Sequence, residues 1–519
     1  MEPVFSFPVV LPSRSQGTLT HALHQQLRSA ILDGRLPADS PLPATRRVAE
    51  ALGVARNTVV TAYDLLVAEG YLIPQKGAKP VVASLVRRRA TKPPKAKVEI
   101  EESRFAPVWR VPFLQPSAAR VLPVRSFRLG IPDHRHFPHD IWRRLMGQAL
   151  RRSSREPFAY APSEGIPALR EAIAQHVAFA RAVACTAEDV IVTSGAQQAF
   201  DLIARLLVTP GQTRVAVEEP GYPPVRAAFA AAGARLVPMP VDDEGLCVDR
   251  LPADVRVISV TPSHQSPTGV AMSLRRRGAL LEFARRHRAV IVEDDYDGEF
   301  RFGGRPLDAL QTLDRDALVF YIGTFSKSMF PSLRKGFVVA PAWARNGLIT
   351  VKHCADSHCD TITQSVLAAF IRDGHLARHV RHMRPIYAER REALLDGLRR
   401  ELGEWLEPIP SEAGLHLAAR IRKPELAAAI MPKTLRFAAG AESTADYAMT
   451  REIDPAVTFG YGVIDAGEIA AALIELRRAL EKEPEMGRAE RWARPRLAFY
   501  VPCANSSSNA AAGIGLPRK

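Results

Sequence analysis

The string Gly323-Thr324-Phe325-Ser326-Lys327 follows an apolar run from Ala317 to Ile322, so a primary amine falls where a buried strand should end. Burial disfavours the ammonium form, which makes such a lysine costly unless its amine is used. Among polar neighbours a desolvated lysine can form a Schiff base with a carbonyl cofactor. A lone lysine is more simply read as a side chain that snorkels to solvent. Here four companion motifs decide otherwise. Val292-Glu293-Asp294-Asp295-Tyr296-Asp297 closes another apolar run. There Asp294 could pair with a protonated pyridine nitrogen and sustain the ring as an electron sink, and the Tyr296 hydroxyl could reach the phenolic oxygen. Thr193-Ser194-Gly195-Ala196-Gln197-Gln198 is a small-residue turn into a helix, suited to a phosphate through free N–H groups and the helix dipole. Tyr222, in Glu219-Pro220-Gly221-Tyr222, could stack on a planar ring, and Thr261 to Gly269 forms a Pro-rich turn after a strand. All five motifs fall at strand C-terminal ends, where open α/β sheets hold ligands.

Two other chemistries are weaker. His353-Cys354 and His358-Cys359 have a local metal-like pairing, but the segment is expected to be helical with ordinary pocket-lining side chains. The carboxylates Asp294, Asp295 and Asp297 are better explained beside the lysine motif than as a metal cluster, so no metal is expected. Arg378 to Arg384 reads as a solvated basic helix face.

Residues 125–482 must position the lysine set. Short β-rich runs (VIVTSG, RVAVEEP, VRVISVTPS, AVIVEDD, LVFYIGTFSK) alternate there with amphipathic helices such as IPALREAIAQHVAFARA. Such alternation predicts an α/β domain with a mainly parallel sheet. Residues 18–83 differ. Leu23, Leu27, Ala30 and Ile31 share one helical face; a second helix fits Thr45 to Leu52, and a third runs from Arg56 to Glu69 after the Gly53-Val54 turn. Helix, glycine turn and helix is the layout of a helix-turn-helix, whose second helix enters the major groove by its N-terminal residues. Those residues are Arg56, Asn57 and Thr58. Tyr71 to Val82 reads as a two-stranded wing with Lys76 and Lys79 near its tip. A three-helix interaction module without DNA contact is the plainer alternative.

Between these parts, residues 84–124 read as a linker; Arg87 to Lys97 carries 6 basic residues and no acidic one. Residues 483–519 are expected to be disordered. The whole chain has 519 residues, too many for one ordinary domain, and 70 Lys plus Arg against 55 Asp plus Glu, a net charge of +15 that favours polyanionic partners. No signal peptide or apolar span of about 18 residues is evident. Five cysteines fit a reducing cytoplasm better than a disulfide framework.

The N-terminal strings Leu42-Pro43-Ala44-Thr45-Arg46-Arg47-Val48-Ala49 and Ala55-Arg56-Asn57-Thr58-Val59 resemble the GntR-family winged helix, departing from it at Ala44 and Ala55, where serine is usual, and at Ala78-Lys79 in the wing. TPSHQ-x-PTG, EDDYD-x-EFR and YIGTFSK-x-x-FP-x-LR, in that order, resemble a fold-type I aminotransferase. Together, over residues 18–482, they resemble the MocR/GabR family of GntR regulators. The resemblance implies an N-terminal α+β winged helix, then an α/β aminotransferase-like domain with a small C-terminal subdomain. It implies pyridoxal 5'-phosphate joined to Lys327 as an aldimine, Asp294 on the pyridine nitrogen, Tyr296 on the ring oxygen and Tyr222 stacked. Gly195, Ala196, Gln197, Thr324 and Arg334 would hold the phosphate, with Tyr160 reaching it across a homodimer interface. Arg46, Arg56, Asn57, Thr58 and Lys76 would meet double-stranded operator DNA.

Two departures bear on activity. Ser266 stands where aminotransferases place asparagine, and Pro455 to Tyr461 lacks the arginine that clamps a substrate carboxylate. The expected function is a cytoplasmic transcription regulator sensing pyridoxal phosphate itself or a small amine or amino-acid effector. A working aminotransferase with an accessory DNA-binding domain is the alternative, and a scaffold that has lost its cofactor is a third reading.

Overall fold

The computed structural model describes residues 4–12, 19–75, 78–84, 106–111, 114, 123, 126–155, 159–303, 308–450 and 453–482. The chain divides into two compact units, 1–102 and 103–519. In the first unit, α1 (Leu19–Leu32), α2 (Thr45–Leu52) and α3 (Arg56–Ala68) are followed by β1 (Leu72–Ile73) and β2 (Val81–Val82). The two strands pair antiparallel, Leu72 opposite Val82, which is the expected wing. Gly53 ends α2 in the left-handed region at φ 63°, and its N–H turns back to the carbonyls of Ala49 and Glu50. Leu23, Leu27, Ala30, Val48, Val59, Ala62 and Leu66 fill the core, where Phe5 and Phe7 from the preceding segment join them. Leu52 and Val67, expected inside, are half-buried.

The second unit opens with α4 (His139–Ser153) and α5 (Pro167–Arg181). The alternating section follows: β3 (Val190–Thr193), α6 (Ala196–Leu207), β4 (Arg214–Glu219), α7 (Pro223–Ala231), β5 (Arg235–Asp242), β6 (Gly245–Leu246), β7 (Val257–Val260), α8 (Leu274–His287), β8 (Val290–Asp295), α9 (Leu310–Leu313), β9 (Val319–Thr324) and β10 (Gly336–Val339). These strands form one sheet in the order β3-β10-β9-β8-β7-β4-β5-β6. Strands β9, β8, β7, β4 and β5 run parallel. Because β10 is antiparallel to both β9 and β3, β3 points the same way as β9. The C-terminal ends of β3, β4, β7, β8 and β9 therefore lie along one edge, and those ends carry the five motifs. Almost every residue of these strands is buried, as expected of a sheet covered on both faces.

Helices α10 (Arg345–Asp356), α11 (Thr361–Arg372) and α12 (His375–Leu402) lead to a smaller layer. There β11 (Leu406–Pro408), β12 (His416–Ile421), α13 (Ala427–Phe437), β13 (Glu442–Ser443), β14 (Ala456–Gly460) and α14 (Ala466–Glu481) complete the unit. Its antiparallel sheet has the order β11-β12-β14-β13. One local expectation is corrected. His353 and Cys354 are helical, but His358 and Cys359 lie in the turn between α10 and α11, because Ser357 takes φ 63° and Asp360 caps α11. The basic string in α12 is only partly a solvated face: Arg378, Arg381, His382 and Arg384 are exposed, whereas His379, Val380 and Met383 are buried.

Candidate functional site at the sheet edge

Lys327 sits in the turn after β9, and its Nζ donates to the Gly130 carbonyl at 2.8 Å. Burial pushes the ammonium pKa down, while Asp297 and Asp294 pull it back. Gly130 is at φ 62°, and a Cβ there would overlap Lys327 Nζ, so glycine is what lets this backbone approach the amine. Nothing in the sequence motifs pointed to Gly130, which lies 197 residues earlier.

Asp294, at the end of β8, is 3% exposed, and its Oδ1 has no hydrogen-bond partner. Burial, followed by the charges of Asp295 and Asp297, drives its carboxyl well above the usual carboxylate range. Tyr296 presents its hydroxyl 3.1 Å from His264 Nδ1. Tyr222 stands at the start of α7, 37% exposed, with its ring edge-on to Phe200 at 6.4 Å.

At the β3–α6 turn, Gly195 has φ 83° and α6 begins without a side-chain cap, which leaves backbone N–H groups of its first turn available. The Arg334 guanidinium lies 3.0 Å from where a Gly195 Cβ would stand, and its Nη2 donates to the Ser194 carbonyl at 2.8 Å. Ala196 and Gln197 form the first turn of α6. Thr324 Oγ1 donates to Ser326 Oγ at 2.9 Å, which adds Ser326 to the same corner. Tyr160 is 90% exposed, with its ring 6.0 Å from that of His358. Ser266 is buried, and its N–H donates to Thr261 Oγ1. Strand β14 forms as expected with the sequence AVTFG.

Beside this corner lies a cluster the sequence reading missed. His264, Asp297 and His416 are buried, and their donor atoms lie within 4.8 Å of one another. His264 and Asp297 stood inside the quoted strings, the one within the turn after β7 and the other just past the end of β8. Only β12, which brings His416 alongside, makes them a group. Such a set could hold a metal by residue type, but His264 Nδ1 is already turned to Asp297 Oδ2 at 2.9 Å.

In the first unit, Arg46, Arg56 and Asn57 are exposed and Thr58 is half-buried, all on α2 or the first turn of α3. Lys76 lies outside the described residues. Neither Ala44 nor Ala55 offers a side-chain cap.

These two units define a winged helix-turn-helix joined to a fold-type I aminotransferase fold. Residues 19–79 match the bacterial regulatory proteins of the gntR family, and residues 129–441 match aminotransferase class I and II. The chain is 40% identical to the probable rhizopine catabolism regulatory protein MocR of Rhizobium meliloti, over 80% of this chain and 84% of that one. It is 31% identical to the HTH-type pyridoxine biosynthesis transcriptional regulator PdxR of Corynebacterium glutamicum, over 91% and 98%. Among solved structures it is similar to LysN, an α-aminoadipate aminotransferase of Thermus thermophilus complexed with N-(5'-phosphopyridoxyl)-L-leucine. That match has a TM-score of 0.66 and 27% identity, covering 73% of this chain and 98% of that chain. The chain belongs to the MocR/GabR type of GntR transcription regulators. No helix among its described residues is long and apolar enough to cross a membrane.

Proposed function

We propose that this regulator binds pyridoxal 5'-phosphate at Lys327 and that occupancy of the site, by the cofactor or by an amine or amino-acid effector reacting there, controls operator binding. The observation that carries the reading is the buried Asp294 Oδ1 without a partner, at the same sheet edge as Lys327 and the Gly195–Arg334 corner. An unpaired buried carboxyl oxygen suits a cationic ring nitrogen, which would turn a costly group into a charge-assisted hydrogen bond. The helix N-terminus at Ala196 and Gln197, with Arg334 and Thr324 beside it, suits a phosphate dianion. Tyr222 would lie against the ring, Tyr296 would meet its oxygen, and Lys327 would hold it covalently.

When bound, the cofactor supplies an aldehyde carbon that exchanges amines and a ring that takes up electrons. Release of Lys327 by a competing amine would change the contacts of Nζ, and a ligand with different affinity for two states of the protein shifts their populations. The relative named for pyridoxine biosynthesis supports the cofactor as its own effector. The exposed ring of Tyr160 supports a homodimer in which it reaches the phosphate of the second copy. Arg46, Arg56, Asn57, Thr58 and Lys76 are the proposed DNA contacts, and free Cys185, Cys247, Cys354 and Cys359 accord with a cytoplasmic setting. An aminotransferase with an accessory reader is the second reading. It is favoured by the complete lysine and aspartate pair, and opposed by a β14 without an arginine.

Titrating the purified chain with pyridoxal phosphate tests the proposal. The wild type is expected to develop a visible absorption band that Lys327→Ala lacks, and operator affinity should change when the band forms. A band that survives in Lys327→Ala, or sustained turnover of amino donors with no operator shift, would overturn it.

A further inference from the structure

We propose that the Asp297–His264 pair is a positioning device that turns the Tyr296 hydroxyl proton toward the ring oxygen of the cofactor held at Lys327. This rests on the cofactor reading above. His264 is 1% exposed, and its Nδ1 lies 2.9 Å from Asp297 Oδ2, 3.2 Å from Asp297 Oδ1 and 3.1 Å from Tyr296 Oη. A carboxylate only accepts hydrogen bonds, so Nδ1 carries the proton. The same N–H faces Tyr296 Oη, which therefore accepts from His264 and cannot donate to it. The tyrosine proton is left for another acceptor, and none lies in reach among the described residues. A hydroxyl that accepts one bond is also a stronger donor of the next.

The pair is locked from both sides. Gly414, at φ 83°, lays its backbone against the ring and carboxylate, where a Cβ would overlap both. Its N–H donates to the Phe300 carbonyl at 2.7 Å and its carbonyl accepts from Tyr461 Oη at 2.6 Å, which fixes that wall. On the other side the His416 ring is 4.4 Å away, with Nε2 held 3.1 Å from the Pro267 carbonyl. His264 Nε2 remains buried and unpartnered. Leaving a buried nitrogen unsatisfied is unfavourable, so the arrangement gives up stability to keep the proton on Nδ1. The other charged or titratable groups around Tyr296 and Lys327 are Asp294 from β8, Glu218 from β4 and Tyr447 from the turn before β14.

The test reads the pH midpoint of the visible band of the cofactor-loaded full chain. A phenol donor stabilises the anionic ring oxygen, and thus the form whose imine has lost its proton. Removing that donor should let the proton stay to higher pH. Tyr296→Phe is expected to raise the midpoint. His264→Phe should raise it by about half to one pH unit, the span of one hydrogen bond. Asp297→Asn frees the tautomer and should raise the midpoint too, which keeps the test open if His264→Phe does not fold. His264→Asn, with an N–H in place of Nδ1–H, should restore the wild-type value. In the Tyr296→Phe background, His264→Phe should add nothing. An unchanged midpoint in His264→Phe and Asp297→Asn, or an equal shift with and without Tyr296, overturns the proposal. A wild-type chain without a visible band instead overturns the cofactor reading.

Discussion

The winged-helix unit and the aminotransferase-like unit hold their chemistry in opposite ways. Arg46, Arg56 and Asn57 stand in solvent on short helices, and the core beneath them is apolar apart from His24. At the sheet edge the reactive groups are buried and partly unsatisfied, as Asp294 Oδ1 and His264 Nε2 show. A surface that reads a polyanion can wait in water at no cost to folding. A site suited to a charged ring and phosphate keeps buried groups that only a ligand would satisfy. The two units should therefore respond differently to pH, substitution and ligand.

The largest expected contrast is in acid and base. Burial raises the carboxyls of Glu218, Glu293 and Glu299 from an ordinary value of 4.5 to about 7. A carboxyl with a raised folded pKa binds its proton more tightly when folded. Its stabilisation is thus complete below about pH 4.5 and is lost as pH rises through 7. Asp133, held by Arg135 and Arg390, and Asp465, lowered to about 2, act the other way: their contribution is present above about pH 4 and lost as pH falls. Burial lowers His176 and His379 to about 4 and holds His416 well below its ordinary range; these oppose the glutamates, because their contribution is complete only above about pH 6.5 and is lost as pH falls. Without cofactor, the large unit should therefore change little between about pH 4.5 and 6.5 and weaken as pH rises from about 6.5 to 8. In the winged helix, the one buried group displaced from its ordinary range among the described residues is Tyr63, driven upward by burial, far outside this window. Calorimetry of the full chain from about pH 4 to 8 checks this. A large-unit transition that rises steadily with pH would contradict the buried-glutamate account.

Arg334→Ala should come next. Losing a charge-assisted contact of about 1.5–3 kcal/mol predicts a cofactor affinity lower by roughly ten- to a hundredfold. DNA binding by cofactor-free protein should not change. An equal loss in both assays would break the separation between the units. Arg56→Ala should do the reverse: operator affinity falls by about 1–3 kcal/mol for a base contact, or the salt slope drops by about 1 for a phosphate contact. The visible band should be untouched. Filter binding across a salt series distinguishes these outcomes.

The contrast also explains what could be read from the chain itself. The sheet-edge strings were legible because parallel strands force buried, near-continuous apolar runs, and the polar residue that ends each run marks the ligand edge. Lys327 and Asp294 are legible in this way, whereas Arg334 follows only from the resemblance of the string after Lys327. Gly130 and His416 were not, because their roles exist only when distant segments meet: Gly130 under the Lys327 amine, His416 beside His264. The break between α10 and α11 was missed because Ser357 takes a left-handed conformation that its residue type does not announce. The three N-terminal helices were legible from apolar spacing, while the wing strands are only two residues each, too short for any periodicity to mark them.

The smallest expected effect concerns the two alanines that open α2 and α3. An N-cap serine accepts a hydrogen bond from an N–H of the first turn, and replacing such a cap by alanine costs about 0.5–2 kcal/mol. Ala44 and Ala55 already take the extended conformation of a cap, at φ −60° and −62°. Serine fits there without moving the backbone, so Ala44→Ser and Ala55→Ser should each stabilise the winged helix by roughly 1 kcal/mol. Amide exchange in α2 and α3 of the full chain should slow about fivefold, while exchange in β8 and β9 stays the same. Ala55→Ser also places a hydroxyl beside Arg56, so its operator affinity should rise as well, whereas a purely structural cap would leave affinity unchanged. Slower exchange in both units would mean that the stability of the reader is not set locally, and the contrast between the units would fail at its smallest term.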